Sequence, residues 1–376
     1  RGTRGRPEMQ HRTSLTAGGA AHGKNRAHSP LGPSATSMWP TDGPFNMHNR
    51  EPQPVPGDTD RVSFLPISTE FAYFSANLGH IFPGYGLRGQ TAVYRRLKDY
   101  ASWQARLDLR HGLGKISPQA HLGELSCAGP AMYVSFHFGS YRTLPLELLA
   151  GGRSVCVVLS GALLAAYGEY HSGLMGTGMP GAGHARLYLA NADDPSLFFR
   201  LRGMVKAGAH IFVYADGGRG ARRDPAGKGL ARVQLGSAAM MVRSGYLEIA
   251  HLLDLEVHLL LDHSPGPFQP MGEGRSISCY KLPQRGSRGD SVRDGLGLLY
   301  AKFQQALLEC PERWEALLYL HRHCMPRSHI GGWGPQGRLL GFTDGKRPYA
   351  LDRYTYRKYP LVPPGCPEAP GGAGWF

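Results

Sequence analysis

His137 stands in the run Tyr133-Val134-Ser135-Phe136-His137-Phe138-Gly139-Ser140-Tyr141-Arg142. The pattern predicts a buried strand that delivers a histidine to its end, then a glycine turn and a helix. An imidazole at a strand end faces the crevice at the carboxyl edge of an α/β sheet, where it can act as a general base. A carboxylate five residues on would hold the imidazole in its working tautomer. That position is Arg142, a fixed positive charge that lowers the affinity of a neighbouring imidazole for a proton. Glu147, Glu169 and Asp216 are the carboxylates that could replace it through space, and one within about 3.2 Å of a His137 nitrogen would complete the base.

A second candidate site is Tyr214-Ala215-Asp216-Gly217-Gly218-Arg219-Gly220-Ala221-Arg222-Arg223-Asp224, continuing to Lys228 and Arg232. A strand delivers Asp216 into a glycine-rich loop bearing Arg219, Arg222, Arg223 and Lys228. Glycines let backbone N–H groups approach an anion, and guanidinium groups clamp phosphate or sulfate bidentately. The spacing of a P-loop is absent. His321, His323 and Cys324 lie close together, but with no second ligand cluster at zinc spacing they predict no metal.

These residues need strands and helices to place them. Apolar segments predict a helical or hooked piece over 71–82 and a second helix over 90–110. Strand–helix alternation follows: a strand over 131–136, a helix over 141–150, and a strand over 154–159. A helix over 197–207 and a strand over 209–215 come next. Beyond the glycine loop the pattern predicts a helix over 237–253 and a strand over 255–262. An amphipathic helix and a second short one close the region 291–324. The expected fold is α/β, with a mixed, largely parallel central sheet and helices on both faces. Residues 1–60 read as a disordered basic extension, 61–326 as the α/β domain, and 327–376 as a loosely ordered Pro/Gly/Tyr-rich tail.

The net charge is +14 over 376 residues, unevenly spread. Residues 1–50 hold seven Lys/Arg against two acids, and 326–376 hold seven against three. The 275 residues between carry only +5, so the basic balance describes the ends. It favours anionic partners. Nucleic-acid binding would need Lys/Arg interleaved with aromatics on a folded face, and the one stretch of that composition, 346–359, sits beside the Pro/Gly terminus. The six cysteines form no C-x-x-C pair, which fits a reducing compartment. No apolar run reaches the ~18 residues of a membrane span, and residues 1–30 lack the apolar core of a signal peptide. The expected location is cytoplasmic, with peripheral contact at the inner membrane face. The chain begins at Arg1, and Met38 or Met47 is the expected start of translation.

In order and spacing, these motifs resemble the bacterial lipid A biosynthesis acyltransferases, within the lysophospholipid acyltransferase group. That family has a strand ending in His-Phe-Gly-Asn-Trp-Glu, which His137-Phe138-Gly139-Ser140-Tyr141-Arg142 resembles with Arg142 in place of the acid. Its later strand ends in an Asp before a basic glycine loop, similar to Asp216–Gly220. Gln234-Leu235-Gly236 resembles its Phe-Phe-Gly-like turn, Pro311-Glu312-Arg313-Trp314 its Pro-x-x-Trp, and His321-Arg322-His323 its His-Arg-Arg. The resemblance covers roughly residues 65–326.

It implies a glycerolipid acyltransferase-like fold in which His137 deprotonates an acceptor hydroxyl that attacks an acyl thioester. The donor would be carried on acyl carrier protein or CoA, with no cofactor. Ser140, Tyr141, Arg219, Arg222, Arg223 and Lys228 would lie near the anionic headgroup or phosphopantetheine. Two alternatives keep the same fold. In one, Arg142 and the Arg219 loop hold a sulfate or phosphate group that His137 helps expel by elimination or cyclisation. In the other, the protein binds a ligand without turnover.

Overall fold

The computed structural model describes residues 67–111, 129–164, 167–168, 184–217, 229–263, 276–284, 286–327, 335–345 and 347–361. The chain divides into two units, Arg1–Asn49 and Arg50–Phe376, and every described residue belongs to the second. The sequence readings for residues 1–60 and for the loop bearing Arg219, Arg222, Arg223 and Lys228 lie outside the described residues.

In chain order the elements begin with helices α1 (Thr69–Ile81) and α2 (Leu87–His111), then strand β1 (Ala131–Ser135). Helix α3 (Leu144–Ala150) and strands β2 (Val155–Leu159) and β3 (Leu187–Asn191) follow, then α4 (Leu197–Lys206) and β4 (His210–Tyr214). Next come β5 (Leu230–Leu235), β6 (Ala238–Arg243), α5 (Gly245–Leu252), β7 (Glu256–Asp262) and β8 (Ile277–Lys281). The chain closes with α6 (Arg288–Glu309), a one-turn α7 (Pro335–Arg338), β9 (Leu339–Asp344), β10 (Arg347–Asp352) and β11 (Arg357–Pro360). Ser68 starts α1 and Ser287 starts α6, each accepting from a backbone N–H of the first turn. Glu70 and Asp290 add negative charge at those positive helix ends.

The main sheet has six strands in the order β3-β2-β4-β1-β7-β8. The first five run parallel and β8 pairs antiparallel with β7, so the fold is mixed α/β with a mostly parallel sheet flanked by helices. All five side chains of β1 are buried, because each face of the strand meets a different layer. Tyr133, Phe212 and Leu260 pack with Leu144 and Leu148 of α3 on one face. Val134, Val213 and Leu259 pack with Leu247 and Ala250 of α5 and with Leu299 and Phe303 of α6 on the other.

The connection leaving β1 passes β4 to reach β2, whereas the one leaving β4 passes β1 to reach β7. Right-handed connections running in opposite directions lie on opposite faces of a sheet, which is where α3 and α5 sit. The backbone therefore parts above β1 and β4 at their carboxyl ends, the place where open α/β sheets bind ligands.

Three sequence readings need correction. The helix expected over 237–253 is strand β6 followed by α5, with β5 and β6 paired antiparallel about Gly236-Ser237. Gly236 has φ +55°, and a Cβ there would lie 2.5 Å from the carbonyl oxygen of Ile81, so the hairpin abuts the end of α1. The helix expected over 141–150 opens as a 3₁₀ turn, Tyr141–Thr143, before α3. The loose tail expected beyond 327 does not describe 339–360, which form the antiparallel meander β9-β10-β11. Buried Arg353 ties it to the core, donating to Ser75 Oγ at 2.9 Å and Gln90 Oε1 at 3.3 Å. Among the described residues, no helix is long and apolar enough to cross a membrane.

Candidate active site

The register between β1 and β4 builds the site. Ser135 pairs with Tyr214, so two residues further along each strand His137 comes level with Asp216. The amide of Ala215 continues the ladder, donating to the Ser135 carbonyl at 2.8 Å. His137 Nδ1 then lies 2.8 Å from Asp216 Oδ1. The His137 backbone N–H donates to the same carboxylate, at 3.1 Å to Oδ1 and 3.0 Å to Oδ2. The carboxylate that the sequence lacks one helical turn after His137 is thus supplied from the neighbouring strand.

A third partner comes from the short motif after α6. Trp314 is fully buried, and its indole N–H donates to Asp216 Oδ2 at 2.7 Å. Its segment is clamped to the histidine turn, because Glu315 N–H donates to the His137 carbonyl at 3.0 Å and Gly139 N–H to the Arg313 carbonyl at 3.1 Å. Asp216 accepts these bonds with a side chain only 3% exposed, whereas that of His137 is 14% exposed. The imidazole keeps some contact with solvent, and the carboxylate behind it is shielded.

The turn after His137 depends on Gly139. Its φ is +63°, and a Cβ would fall 2.3 Å from the Asp262 carbonyl oxygen, so the chain passes directly over the end of β7. Asp262 fixes the next residue, its Oδ2 accepting from Ser140 N–H at 2.8 Å. The Tyr141 and Tyr214 rings flank the imidazole, with centroids 4.7 and 4.8 Å away. Tyr214 O–H donates to the Tyr141 carbonyl at 3.1 Å and fixes the first of these rings against the second.

Arg142 points into a pair of its own. Tyr141 O–H donates to Glu315 Oε2 at 2.7 Å, Arg142 Nε–H donates to the Tyr141 hydroxyl at 3.1 Å, and Arg142 Nη2 lies 3.6 Å from Glu315 Oε2. The guanidinium also sits over the Tyr141 ring, 5.3 Å from its centroid.

Several charges therefore act on His137. Burial is the largest single influence and pushes its proton affinity down. The Asp216 charge and hydrogen bond, helped by Glu315, outweigh burial and the small opposing push of Arg142, so the pKa ends above the ordinary histidine value. Asp216 moves the other way. Burial alone would raise its pKa, but the bonds from His137 and Trp314 hold it below the usual carboxylate range. The carboxylate accepts, so Nδ1 carries the hydrogen and the Nε2 lone pair is left for a substrate proton.

The structure thus brings together His137, Asp216, Ser140, Tyr141 and Arg142 from the sequence-derived set. Arg219, Arg222, Arg223, Lys228 and Glu169 lie outside the described residues. Glu147 is buried on α3. Trp314 appears in the sequence only as part of a motif and Glu315 carries no sequence signal, whereas Asp262, a polar residue ending an apolar run, carries the same signal as His137 and Asp216. His321 packs against Tyr73, with ring centroids 4.4 Å apart, and the His323 carbonyl accepts from Met241 N–H. Among the described residues, no cluster of His, Cys, Asp or Glu suits a metal ion. No protein-family model and no curated protein matches the chain.

Proposed function

We propose that the chain is an acyltransferase-like enzyme in which the His137–Asp216 pair is the general base. The observation that carries this reading is the 2.8 Å contact between His137 Nδ1 and Asp216 Oδ1. It supplies the orienting acid that the resemblance to the lipid A acyltransferases calls for and that position 142 lacks. His137 Nε2 removes the proton of an acceptor hydroxyl as the oxygen attacks the carbonyl carbon of an acyl thioester. The C–O bond forms, the C–S bond breaks, and the proton passes from the imidazolium to the departing thiolate. The donor on this reading is an acyl thioester of CoA or of a carrier protein, and the acceptor is soluble, carrier-bound or at a membrane surface.

The contacts of Arg142 favour acyl transfer over the expulsion of sulfate or phosphate. The Tyr141 hydroxyl and the Glu315 carboxylate already engage the guanidinium, and a bound anion would have to share it with that carboxylate.

The test is release of free thiol from a set of acyl-CoA thioesters offered with a panel of hydroxylated acceptors, with the acylated product identified by mass spectrometry. The full chain should release thiol in an acceptor-dependent way, and His137→Ala should fall to the uncatalysed background. Turnover by His137→Ala at the wild-type rate would refute the proposal.

A further inference from the structure

A second nucleophile-and-base arrangement lies on the same face of the sheet, toward the amino end of β7. His258 and Glu256 alternate along β7, and Cys279 stands on β8. The register pairs Leu260 with Cys279 and His258 with Lys281, so Cys279 is the diagonal neighbour of His258. Cys279 Sγ lies 3.8 Å from His258 Nδ1, within sulfur hydrogen-bond range, and His258 Nε2 lies 3.3 Å from Glu256 Oε2. His258 pairs across the sheet with Tyr133, four residues before His137 on β1, or roughly 13 Å along the strand. This arrangement is therefore separate from the His137–Asp216 pair.

The two contacts fix one proton arrangement. A carboxylate only accepts, so His258 Nε2 carries the ring hydrogen and Nδ1 presents its lone pair to the thiol. We propose that Cys279 is a second reactive centre, a thiol that gives its proton to His258 and forms a mixed disulfide with a small disulfide-bearing compound. The thiolate sulfur attacks one sulfur of the disulfide, the S–S bond breaks, and the departing thiolate takes the proton back from the imidazolium.

The surroundings suit this step. Burial, the largest effect on His258, lowers its pKa despite the opposing pull of Glu256, so the ring rests neutral and takes the thiol proton only as the sulfur attacks. Lys281 joins Glu256 in an ion pair and places an ammonium beside the group, while the Tyr133 ring packs between His258 and His210. Cys279 is partly exposed, on the strand that ends the order of the main sheet. The other described thiols differ. Cys156 and Cys324 are buried, and burial pushes the Cys156 thiol up to about 11. Burial also raises that of Cys310.

The proposal is tested with 4,4′-dithiodipyridine on the full chain at pH 7, each modified cysteine being located by peptide mapping. With His258 in place to take its proton, Cys279 should react at least about threefold faster in the native chain than in the urea-unfolded chain. His258→Gln should remove that advantage, with circular dichroism confirming a folded variant. A native Cys279 that reacts no faster than the unfolded one overturns the proposal whatever the variant does. A folded His258→Gln chain that keeps the wild-type rate overturns it as well.

Discussion

Replacing Asp216 by Asn tests the central pair with almost no change of shape. The wild-type carboxylate accepts from the His137 amide, the His137 ring and the Trp314 indole. An amide has one acceptor oxygen and one donor NH₂ to offer those donors. If its oxygen faces the ring, the NH₂ confronts the buried indole N–H, and an unmet buried donor costs about 1–3 kcal/mol. The favoured arrangement turns the oxygen to Trp314 and the NH₂ to His137 Nδ1. That nitrogen must then accept, the ring hydrogen moves to Nε2, and the lone pair that takes the substrate proton is lost. In triad-type sites this tautomer change costs on the order of 10⁴ in rate, or about 5.5 kcal/mol of barrier.

The substitution also reverses the electrostatics. Burial and Arg142 both lower the proton affinity of His137, and without Asp216 only Glu315 opposes them. The imidazole should then titrate below the ordinary value of about 6.5 instead of above it. Histidine-selective ¹⁵N NMR over a pH series reads both tautomer and pKa without a substrate, and thiol release reads the rate. A variant that keeps its Nδ1–H tautomer, titrates at the wild-type pH and turns over within tenfold of wild type would refute the reasoning.

The stability profile should change in step. The raised His137 pKa contributes stability that is complete below about 6.5 and lost as pH rises through the folded value. The depressed Asp216 pKa contributes stability present above about 3.9 and lost as pH falls through the folded value. Thermal melts of the wild type should therefore lose this contribution at both ends, whereas those of Asp216→Asn, with His137 depressed, should lose stability only as pH falls below about 6.5.

Two further outcomes follow from neighbouring contacts. Arg142→Gln removes the cation that opposes protonation of His137, so the acid limb of the pH–rate profile should move to higher pH while the plateau stays within about threefold of wild type. An unmoved acid limb would show that Arg142 does not act on the ring. Gly139→Ala forces a left-handed backbone on a side-chain-bearing residue and drives a Cβ into the Asp262 carbonyl, so it should cost at least about 2 kcal/mol. Chemical denaturation measures that loss, and an unchanged midpoint would contradict the close approach of the turn to β7.

The strands of the main sheet were readable because β1, β4 and β7 are apolar runs of strand length bounded by turn residues. His137 and Asp216 each stood out for the same reason, as polar residues at the ends of such runs. That they face one another was not readable from either run. It depends on β4 taking the place beside β1, a choice made by packing across the whole sheet. Spacing points to position 142 because it measures reach along one helix, whereas the acid arrives from a strand 79 residues away. The misread helix over 237–253 has a similar cause. Ala238–Arg243 is a short apolar run whose period fits either element, and the Gly236-Ser237 turn was the signal to weigh. Asp344-Gly345, a common hairpin pair, marked the meander in the same way.

The position of β4 also bears on how the chain reaches its native state. β1 and β2 are joined by α3, yet β4 separates them. Until residues 210–214 have been synthesised, each of those two strands lacks a neighbour, and both are almost wholly apolar. Unpaired apolar edges of this kind are templates for association with other chains. The strand that completes the base thus also covers one apolar edge of each, so chains that stall before it should depend on chaperones more than those that have passed it.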